Sequence, residues 1–128
     1  MRVKDCMSEA VVTITPEESA ALAARLMTRH NLGVLPVCDY HGKLQGMVTD
    51  RDIITRCIAV DQDPSRVPVA DIMSAQVETI APEEKAQAAT ERMARKQVRR
   101  LPVVEAGKLV GVVALDDLAR HRKTEMEA

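Results

Sequence analysis

The chain carries one sequence pattern twice, and this duplication constrains its fold more than any other feature. Residues 3–8 (VKDCMS) align with residues 69–74 (VADIMS) at an offset of 66. That register holds without a gap as far as the Leu-Pro-Val motifs at 35–37 and 101–103, and one deletion in the next turn then changes the offset to 65. We therefore expect two copies of one structural unit.

The polar stretch between the copies sets the domain boundaries. It contains two prolines, Pro64 and Pro68, and its composition is typical of a linker. The first copy is placed at residues 1–60, the linker at 61–68, the second copy at 69–122 and a charged tail at 123–128. A chain of 128 residues is long enough for one ordinary domain or for two very small ones that share a core.

Each copy predicts the element order β-α-β-β-α and thus an α/β (α+β) fold. The β-branched residues 11–14 predict a strand, and the sequence TPEE at 15–18 predicts a helix start with a capping box and proline at the first helical position. The second copy has Ala81 at the cap position, so its helix start depends on Pro82 and the acids after it. Small residues and a methionine at helical spacing predict the buried helix faces, which are Ala20, Ala23, Ala24 and Met27, then Ala86, Ala89 and Met93.

The remainder of each copy predicts a hairpin and a second helix. Pro36 cannot donate to a strand ladder, so its strand belongs at an edge or an opening of the sheet. Tight turns at 39–42 and 105–107 precede the last strands. Strands are expected at 35–38, 43–48 and 108–113, and helices at about 50–60 and 116–122.

The junction between the last strand and the last helix of the first copy carries the chemistry of the sequence. Thr49 and Asp52 lie where free backbone N–H groups and the positive end of the helix dipole can receive a phosphate or a hydroxyl-rich ligand. Thr49 could donate its hydroxyl, and the Asp52 carboxylate could accept hydrogen bonds from the two hydroxyls of a ribose. The same pair fits a helix N-cap with an acid at N3, which is a structural role. Spacing alone leaves both interpretations open.

Composition argues against several classes of function. Apolar residues make up 46% of the chain, yet Phe and Trp are absent and Tyr occurs once, so a bound base would lie against aliphatic side chains and prolines. A net charge of −1 and the lack of aromatic platforms make nucleic-acid binding unlikely. The sequence shows no apolar run of membrane-spanning length and no signal-peptide core, so we expect a cytoplasmic protein without a membrane partner.

Catalysis and metal binding have little support in the sequence. Cys6, Cys38 and Cys57 are widely spaced and lie outside metal-ligand spacing, which predicts buried or half-buried thiols. None of the histidines has a serine or cysteine placed beside it as a nucleophile. They are expected at a helix end, in a turn and in a basic tail, at His30, His41 and His121. We expect no catalytic residue, no metal site and no enzymatic activity.

Together these motifs resemble the CBS domain, named for cystathionine β-synthase, in the small stand-alone bacterial form that holds a pair of domains. The resemblance covers essentially the whole chain and rests on the two VxDxMS openings, the TIxPEE helix starts, the two LPV strands and the strand-to-helix stretch that includes Thr49 and Asp52. It implies tandem β-α-β-β-α repeats packed as a pseudo-twofold pair, a Bateman module, which commonly forms a homodimer.

The resemblance also implies a regulatory ligand rather than a catalytic cofactor. Family members often bind AMP, ADP, ATP or S-adenosylmethionine in clefts between the two repeats. Carried over to this chain, Thr49 and Asp52 would hold phosphate and ribose, with Met47 beside the base. The implied opposite wall is Val77 and Glu78 for the base, and Arg99, Arg100 and Pro102 around the phosphates. Adjacent arginines suit phosphate because guanidinium binds it in a bidentate fork, although they also fit a solvated helix end.

The second cleft implied by the resemblance departs from the family pattern. Its residues would be Val11, Val34, Pro36, Val112 and Asp117. The hydroxyl position is occupied by alanine at 114, and residues 33–36 offer no arginine to a phosphate. Losing a charged hydrogen-bonding partner costs about 1.5–3 kcal/mol. We expect one competent site and one weak or empty site.

Two other functions stay open beside a nucleotide sensor. One is a structural or interaction module with degenerate sites that acts through dimerisation or an unidentified protein partner, which the missing hydroxyl at Ala114 favours. The other is nucleic-acid binding, which would need an affinity that falls steeply with salt. That binding would use a basic cluster of Arg92, Arg95, Lys96, Arg99 and Arg100.

Overall fold

The computed structural model describes the backbone of residues 1–127 and the side chains of residues 1–121. The chain divides into two compact units. The central unit is Val12–Val77, and the terminal unit combines Met1–Val11 with the chain from Glu78 onward. Each unit therefore contains the body of one sequence copy and the opening motif of the other.

Helices and strands follow the same order in both units. The central unit contains α1 (Ala20–His30), β1 (Val34–Cys38), β2 (Leu44–Thr49), α2 (Asp50–Ile53), a π-helical continuation of α2 (Ile54–Ile58) and a 3-10 turn (Val69–Asp71). The terminal unit contains a 3-10 turn (Val3–Asp5), α3 (Ala86–Lys96), β3 (Arg100–Glu105), β4 (Lys108–Ala114) and α4 (Leu115–Glu127).

Each unit packs one helix face onto a two-stranded antiparallel sheet. In the central unit Leu35 pairs with Val48, and both are fully buried with Ala23 of α1. The terminal unit repeats this arrangement with Leu101, Val113 and α3. The predicted helix faces are confirmed, since Ala20, Ala23, Met27, Ala86, Ala89 and Met93 are buried and Ala24 is partly buried against the core.

The predicted first strand of each copy is wrong, because its ladder is reduced to one bridge. Ile14 forms an isolated parallel bridge with Val37, in which Ile14 N–H donates to Pro36 and Cys38 N–H donates to Ile14. Extending the ladder backwards would need an N–H from Pro36, and extending it forwards would need one from Pro16. Neither proline has an N–H. The single bridge between Ile80 and Val103 in the terminal unit has the same cause, with Pro102 and Pro82 in these positions.

The predicted start of the first helix is also wrong, because tertiary contacts occupy the carbonyls of its supposed first turn. Helix α1 begins at Ala20, and the Ser19 side chain caps it by accepting from Leu22 N–H. Residues 15–18 form a turn instead. The Pro16 carbonyl accepts from Ala70 N–H at 2.9 Å and the Glu18 carbonyl from Val69 N–H at 2.8 Å.

Helix α3 differs from its predicted start in the same way. It begins at Ala86 rather than near Pro82. The Pro82 carbonyl accepts from Lys4 N–H at 3.0 Å, and the Glu84 carbonyl accepts from Val3 N–H at 2.9 Å. The opening motif of one copy thus hydrogen-bonds to the turn of the other copy, in both units.

The last helices differ from expectation at their ends. In the central unit helical structure stops at Ile58, where Ala59 N–H bonds to the Ile54 carbonyl in π-helical geometry. In the terminal unit α4 continues to Glu127, beyond the predicted end at Arg122, so His121 lies within a helix. No helix in the described part of the chain is both long and apolar enough to cross a membrane.

Candidate functional site

The strand-to-helix junction of the central unit is a complete capping box. The Thr49 hydroxyl accepts from Asp52 N–H at 3.0 Å, and the Asp52 carboxylate accepts from Thr49 N–H at 2.9 Å. The two side chains thereby satisfy N–H groups that a helix start leaves without a partner. The structural interpretation of this pair is confirmed.

The capping box leaves both side chains with unused hydrogen-bonding capacity. A hydroxyl that accepts one bond keeps its own proton to donate. The second Asp52 oxygen lies 3.9 Å from the Arg56 guanidinium, too far for a hydrogen bond, and the Asp52 side chain is 13% exposed. Thr49 can therefore still offer a donor, and Asp52 an acceptor, from a rigid position.

Met47 lies on the same strand face as Thr49, two residues earlier on β2. Its backbone N–H and carbonyl both bond to Ser74, at 3.0 and 2.9 Å, and its side chain is half-buried. Cross-strand pairing sets Met47 opposite Pro36, and Thr49 opposite Val34. Residues assigned from the sequence to two different clefts are therefore neighbours on one sheet face.

The glycine that precedes Met47 has a packing role that the sequence analysis did not identify. A Cβ atom at Gly46 would collide with the Ser74 carbonyl oxygen and would lie 3.1 Å from the Met73 sulfur. At Gly111, the equivalent glycine of the terminal unit, a Cβ would lie 2.8 Å from the Ser8 carbonyl oxygen. Glycine is therefore required at the two positions where the Met-Ser pair of an opening motif hydrogen-bonds to the last strand of the unit.

The terminal unit carries the predicted phosphate-binding residues. Arg99 directly precedes β3, and its carbonyl accepts from Leu115 N–H at 2.8 Å. Its guanidinium lies 3.4 Å from the Asp116 carboxylate, with both side chains more than 70% exposed. Such an exposed ion pair is worth little, so a phosphate could replace Asp116. Arg100 is exposed and forms no ion pair among the described side chains, whereas Pro102 is buried.

Glu78 belongs to an ion-pair cluster that the sequence analysis did not identify. Its carboxylate lies 3.4 Å from Arg92 Nε and 4.0 Å from Lys96 Nζ. Arg92 also bonds to both oxygens of Glu84, at 3.0 and 3.4 Å, and donates to the Thr79 carbonyl at 2.7 Å. The bond from Arg92, with one from Ala81 N–H, lowers the pKa of Glu84 below its usual value, and the bond to Glu84 raises the pKa of Arg92.

This cluster changes the meaning of the predicted basic patch. Arg92 is only 21% exposed and is held by two carboxylates and a backbone carbonyl, so its guanidinium is already occupied within the protein. The sequence did contain a signal. In the repeat alignment Glu78 matches Val12 and Arg92 matches Leu26, so two positions that are apolar in the first copy carry opposite charges in the second.

The residues predicted for the second cleft show a different helix start. The Asp117 carboxylate pairs with Arg120, three residues on, and Ala114 offers no hydroxyl to the first turn of α4. Val112 bonds through its backbone to Ser8, at 2.8 and 2.9 Å. Val11, Val34 and Val112 are half-buried, and Pro36 is buried.

Other candidate groups do not form a reactive site. The three cysteines are buried thiols, as predicted, and burial raises the pKa of Cys38. Within the described residues no group of three or more His, Cys, Asp or Glu side chains could hold a metal ion. A surface hollow of about 360 Å³ lies between α1 and α2 and is lined by Ala24, Met27, Asp50 and Ile54 among others, none of them a predicted ligand residue.

Known proteins match this chain along nearly its whole length. Residues 3–59 and 69–123 each match the family model of the CBS domain. The chain is 41% identical to the CBS domain-containing protein YhcV of Bacillus subtilis over 126 residues, which cover 98% of this chain and 89% of that protein.

Two solved structures are similar in fold. One is Hypoxic Response Protein I with two coordinated zinc ions, with a TM-score of 0.87, 32% identity, and coverage of 94% of this chain and 98% of that one. The other is the CBS domain pair of protein MJ0100 in complex with 5-methylthioadenosine and S-adenosyl-L-methionine. Its TM-score is 0.81 at 29% identity, and the match covers 95% of this chain and 99% of that one.

Proposed function

This chain belongs to the CBS domain family and carries two copies of the domain, and on that premise we propose that it is a non-catalytic regulatory module that binds an adenosine-containing ligand. AMP, ADP, ATP and S-adenosylmethionine are the candidates. The proposed main site consists of the residues that the family resemblance implies, namely Met47, Thr49, Asp52, Val77, Glu78, Arg99, Arg100 and Pro102.

The capping box of the central unit is the observation that carries this proposal. It fixes the Thr49 hydroxyl and the Asp52 carboxylate on a rigid helix start while each keeps one hydrogen-bonding function for a ligand. A ribose needs acceptors for its hydroxyls, and a phosphate needs donors and cations. Arg99 and Arg100 supply the cations from exposed positions.

The identity of the ligand class is supported by a relative. The MJ0100 domain pair, 29% identical to this chain, was solved with two adenosine-containing molecules. A ligand that contacts both repeats would favour one arrangement of the pair, and a partner that recognises that arrangement would respond to the ligand. We propose that the module works in the cytoplasm as a homodimer, since isologous pairing is the commonest symmetry, and that it acts through its own assembly or a protein partner.

The second set of residues should bind weakly or not at all. Ala114 lacks the hydroxyl, Asp117 already pairs with Arg120, and residues 33–36 contain no arginine. Isothermal titration of the wild-type protein should therefore give one strong site per chain. Two equal sites per chain would contradict this assignment.

The test of the function is thermal unfolding followed by circular dichroism, with AMP, ATP and S-adenosylmethionine added separately. A ligand at 100 times its Kd stabilises the native state by about 2.7 kcal/mol, which raises the Tm by several degrees in a domain of this size. We expect such a shift with at least one of the three after co-purified nucleotide has been removed.

A matched pair of variants assigns the site. Asp52→Asn keeps an oxygen that can accept from Thr49 N–H but replaces the acceptor offered to ribose with a donor, so the helix cap survives while the ligand-induced shift falls. Asp117→Asn is the same change in the other copy and should leave the shift intact. A shift that survives Asp52→Asn would refute the proposed ribose contact.

The competing function is an interaction module with degenerate ligand sites. The missing hydroxyl at Ala114 favours it, as does the occupation of Glu78 by Arg92 and Lys96. Absence of a Tm shift with all three compounds at millimolar concentration would make this the better function.

A further inference from the structure

The first eight residues of the chain are held by the turn that precedes α3. Val3 is fully buried, its N–H donates to the Glu84 carbonyl at 2.9 Å, and Lys4 N–H donates to the Pro82 carbonyl at 3.0 Å. Lys4 Nζ pairs with Glu83 at 3.0 Å. The position of residues 82–84 therefore determines how well segment 1–8 docks.

The same turn is tied to the proposed base contact through one side chain. Glu84 accepts from Ala81 N–H at 2.8 Å and from the Arg92 guanidinium at 3.0 Å. Arg92 reaches from there to the Thr79 carbonyl at 2.7 Å and to the Glu78 carboxylate at 3.4 Å. A continuous path of hydrogen bonds, completed by the ion pair between Arg92 and Glu78, thus runs from segment 1–8 through Glu84 to Glu78.

The central unit docks its equivalent segment without such a link. Val69 N–H donates to the Glu18 carbonyl and Ala70 N–H to the Pro16 carbonyl, at 2.8 and 2.9 Å. The position equivalent to Arg92 is Leu26, which packs against the core, and the Glu18 side chain is exposed. Docking of a segment by backbone bonds therefore does not require an arginine at this position.

We propose that Arg92 is a positioning residue that couples the docking of segment 1–8 to the position of Glu78, so that ligand bound at Glu78 holds the segment more firmly in place. The role of ligand rests on the proposed function, whereas the coupling through Arg92 is a property of the ligand-free protein. By linkage, a protein that captures segment 1–8 in the undocked state would weaken ligand binding, which makes the segment an output of the module.

The ligand-free test compares amide hydrogen exchange by NMR at Val3 and Lys4 with exchange at Val69 and Ala70. These amides make equivalent backbone bonds in the two units, so the ratio of their exchange rates cancels the effect of any change in global stability. In Arg92→Leu the exchange at Val3 and Lys4 should rise about fivefold relative to Val69 and Ala70, the change expected when a partly exposed charged bond network is lost. An unchanged ratio would overturn the proposal.

Matched variants distinguish the positioning role of Arg92 from the effect of losing a positive charge and from a failure of the variant to fold. Arg95→Leu removes the same charge from an exposed position on α3 and should leave the ratio unchanged. Arg92→Lys retains the charge but not the fork that joins Glu84 to the Thr79 carbonyl, so it should recover only part of the protection. Glu84→Gln serves if Arg92→Leu fails to fold, and it should raise the ratio in the same direction.

The ligand test adds saturating AMP or S-adenosylmethionine, separately, to the wild-type protein and to Arg92→Leu. Ligand should slow exchange at Val3 and Lys4 in the wild type and have little effect on these amides in the variant. Equal slowing in both proteins would overturn the coupling, and so would binding that leaves these amides unaffected in the wild type. If AMP, ATP and S-adenosylmethionine all fail to bind, the proposed function fails, and the ligand-free ratio still decides whether Arg92 couples Glu78 to the segment.

Discussion

The two units have equivalent backbone bonds and buried helix faces but differ in the side chains at two equivalent positions. Both bind an opening motif by backbone bonds to a turn, and both bury an Ala-Ala-Met helix face against a hairpin. The central unit places Val12 and Leu26 against its core, where the terminal unit has Glu78 and Arg92 in an ion pair. The backbone bonds are therefore equivalent in the two units, while the side chains at these two positions are apolar in one unit and charged in the other. A difference between equivalent positions therefore identifies side chains that the shared packing does not require.

The largest expected loss of stability follows substitution of either of two equivalent glycines, Gly46 and Gly111. Gly46→Ala and Gly111→Ala should each destabilise the protein by about 1–3 kcal/mol, because overpacking forces the backbone to move. The cost should be greater at Gly46, where the Ser74 carbonyl oxygen lies closer to the new Cβ than the Ser8 oxygen does at Gly111. Urea denaturation followed by circular dichroism measures both.

A third glycine provides the control for this comparison. A Cβ at Gly33 would lie 3.5 Å from Asp50, an ordinary contact, so Gly33→Ala should change stability little. A loss in Gly111→Ala that equals or exceeds the loss in Gly46→Ala would contradict the order of effects expected from these contacts.

Local sequence patterns predict part of this fold, but they do not predict hydrogen bonds between residues that are distant in sequence. The duplication, the hairpins and the buried helix faces follow from local patterns, and the structure confirms them. The first strand is limited to one bridge because prolines occupy the positions that would have to donate the next bonds. The helix starts were predicted wrongly because the carbonyls of residues 16, 18, 82 and 84 accept bonds from residues distant in sequence. Local propensity contains no information about such partners. The ion pair between Glu78 and Arg92 could be predicted only by aligning the two copies, which places Glu78 on Val12 and Arg92 on Leu26.

The next expected effect concerns the ion pair itself. Arg92→Leu should cost about 1 kcal/mol, because it leaves two partly exposed carboxylates and a carbonyl without their donor. The double variant with Glu78→Val recreates the residues of the central unit and should cost less than the sum of the single changes. A denaturation cycle over the four proteins measures this coupling. Additive losses would mean that the pair contributes no mutual stabilisation.

The helix caps should show a smaller asymmetry. Thr49→Ala removes the side-chain acceptor for Asp52 N–H and should cost about 1 kcal/mol, a typical value for an N-cap. The reverse change, Ala114→Thr, introduces the missing hydroxyl in the terminal unit and should stabilise the protein by at least a few tenths of a kcal/mol. Thermal unfolding of the two variants compares them directly. A neutral Thr49→Ala would mean that the remaining bond from Thr49 N–H to Asp52 is sufficient.

The smallest expected effect is the pH dependence that the bond between Arg92 and Glu84 contributes, a bond that Leu26 and Glu18 cannot make at the equivalent positions of the central unit. The bond from Arg92 holds the pKa of Glu84 below its ordinary value of 4.5. The folded protein therefore retains the stabilisation above about pH 4.5 and loses it as the pH falls through the lowered folded pKa. The stability gap between wild type and Glu84→Gln should be largest near neutral pH and should close in acid. Glu18→Gln, at the equivalent but exposed position, is the matched control. A gap at Glu84 that persists unchanged in acid would show that the ionised carboxylate contributes nothing to the link between Arg92 and the docked segment.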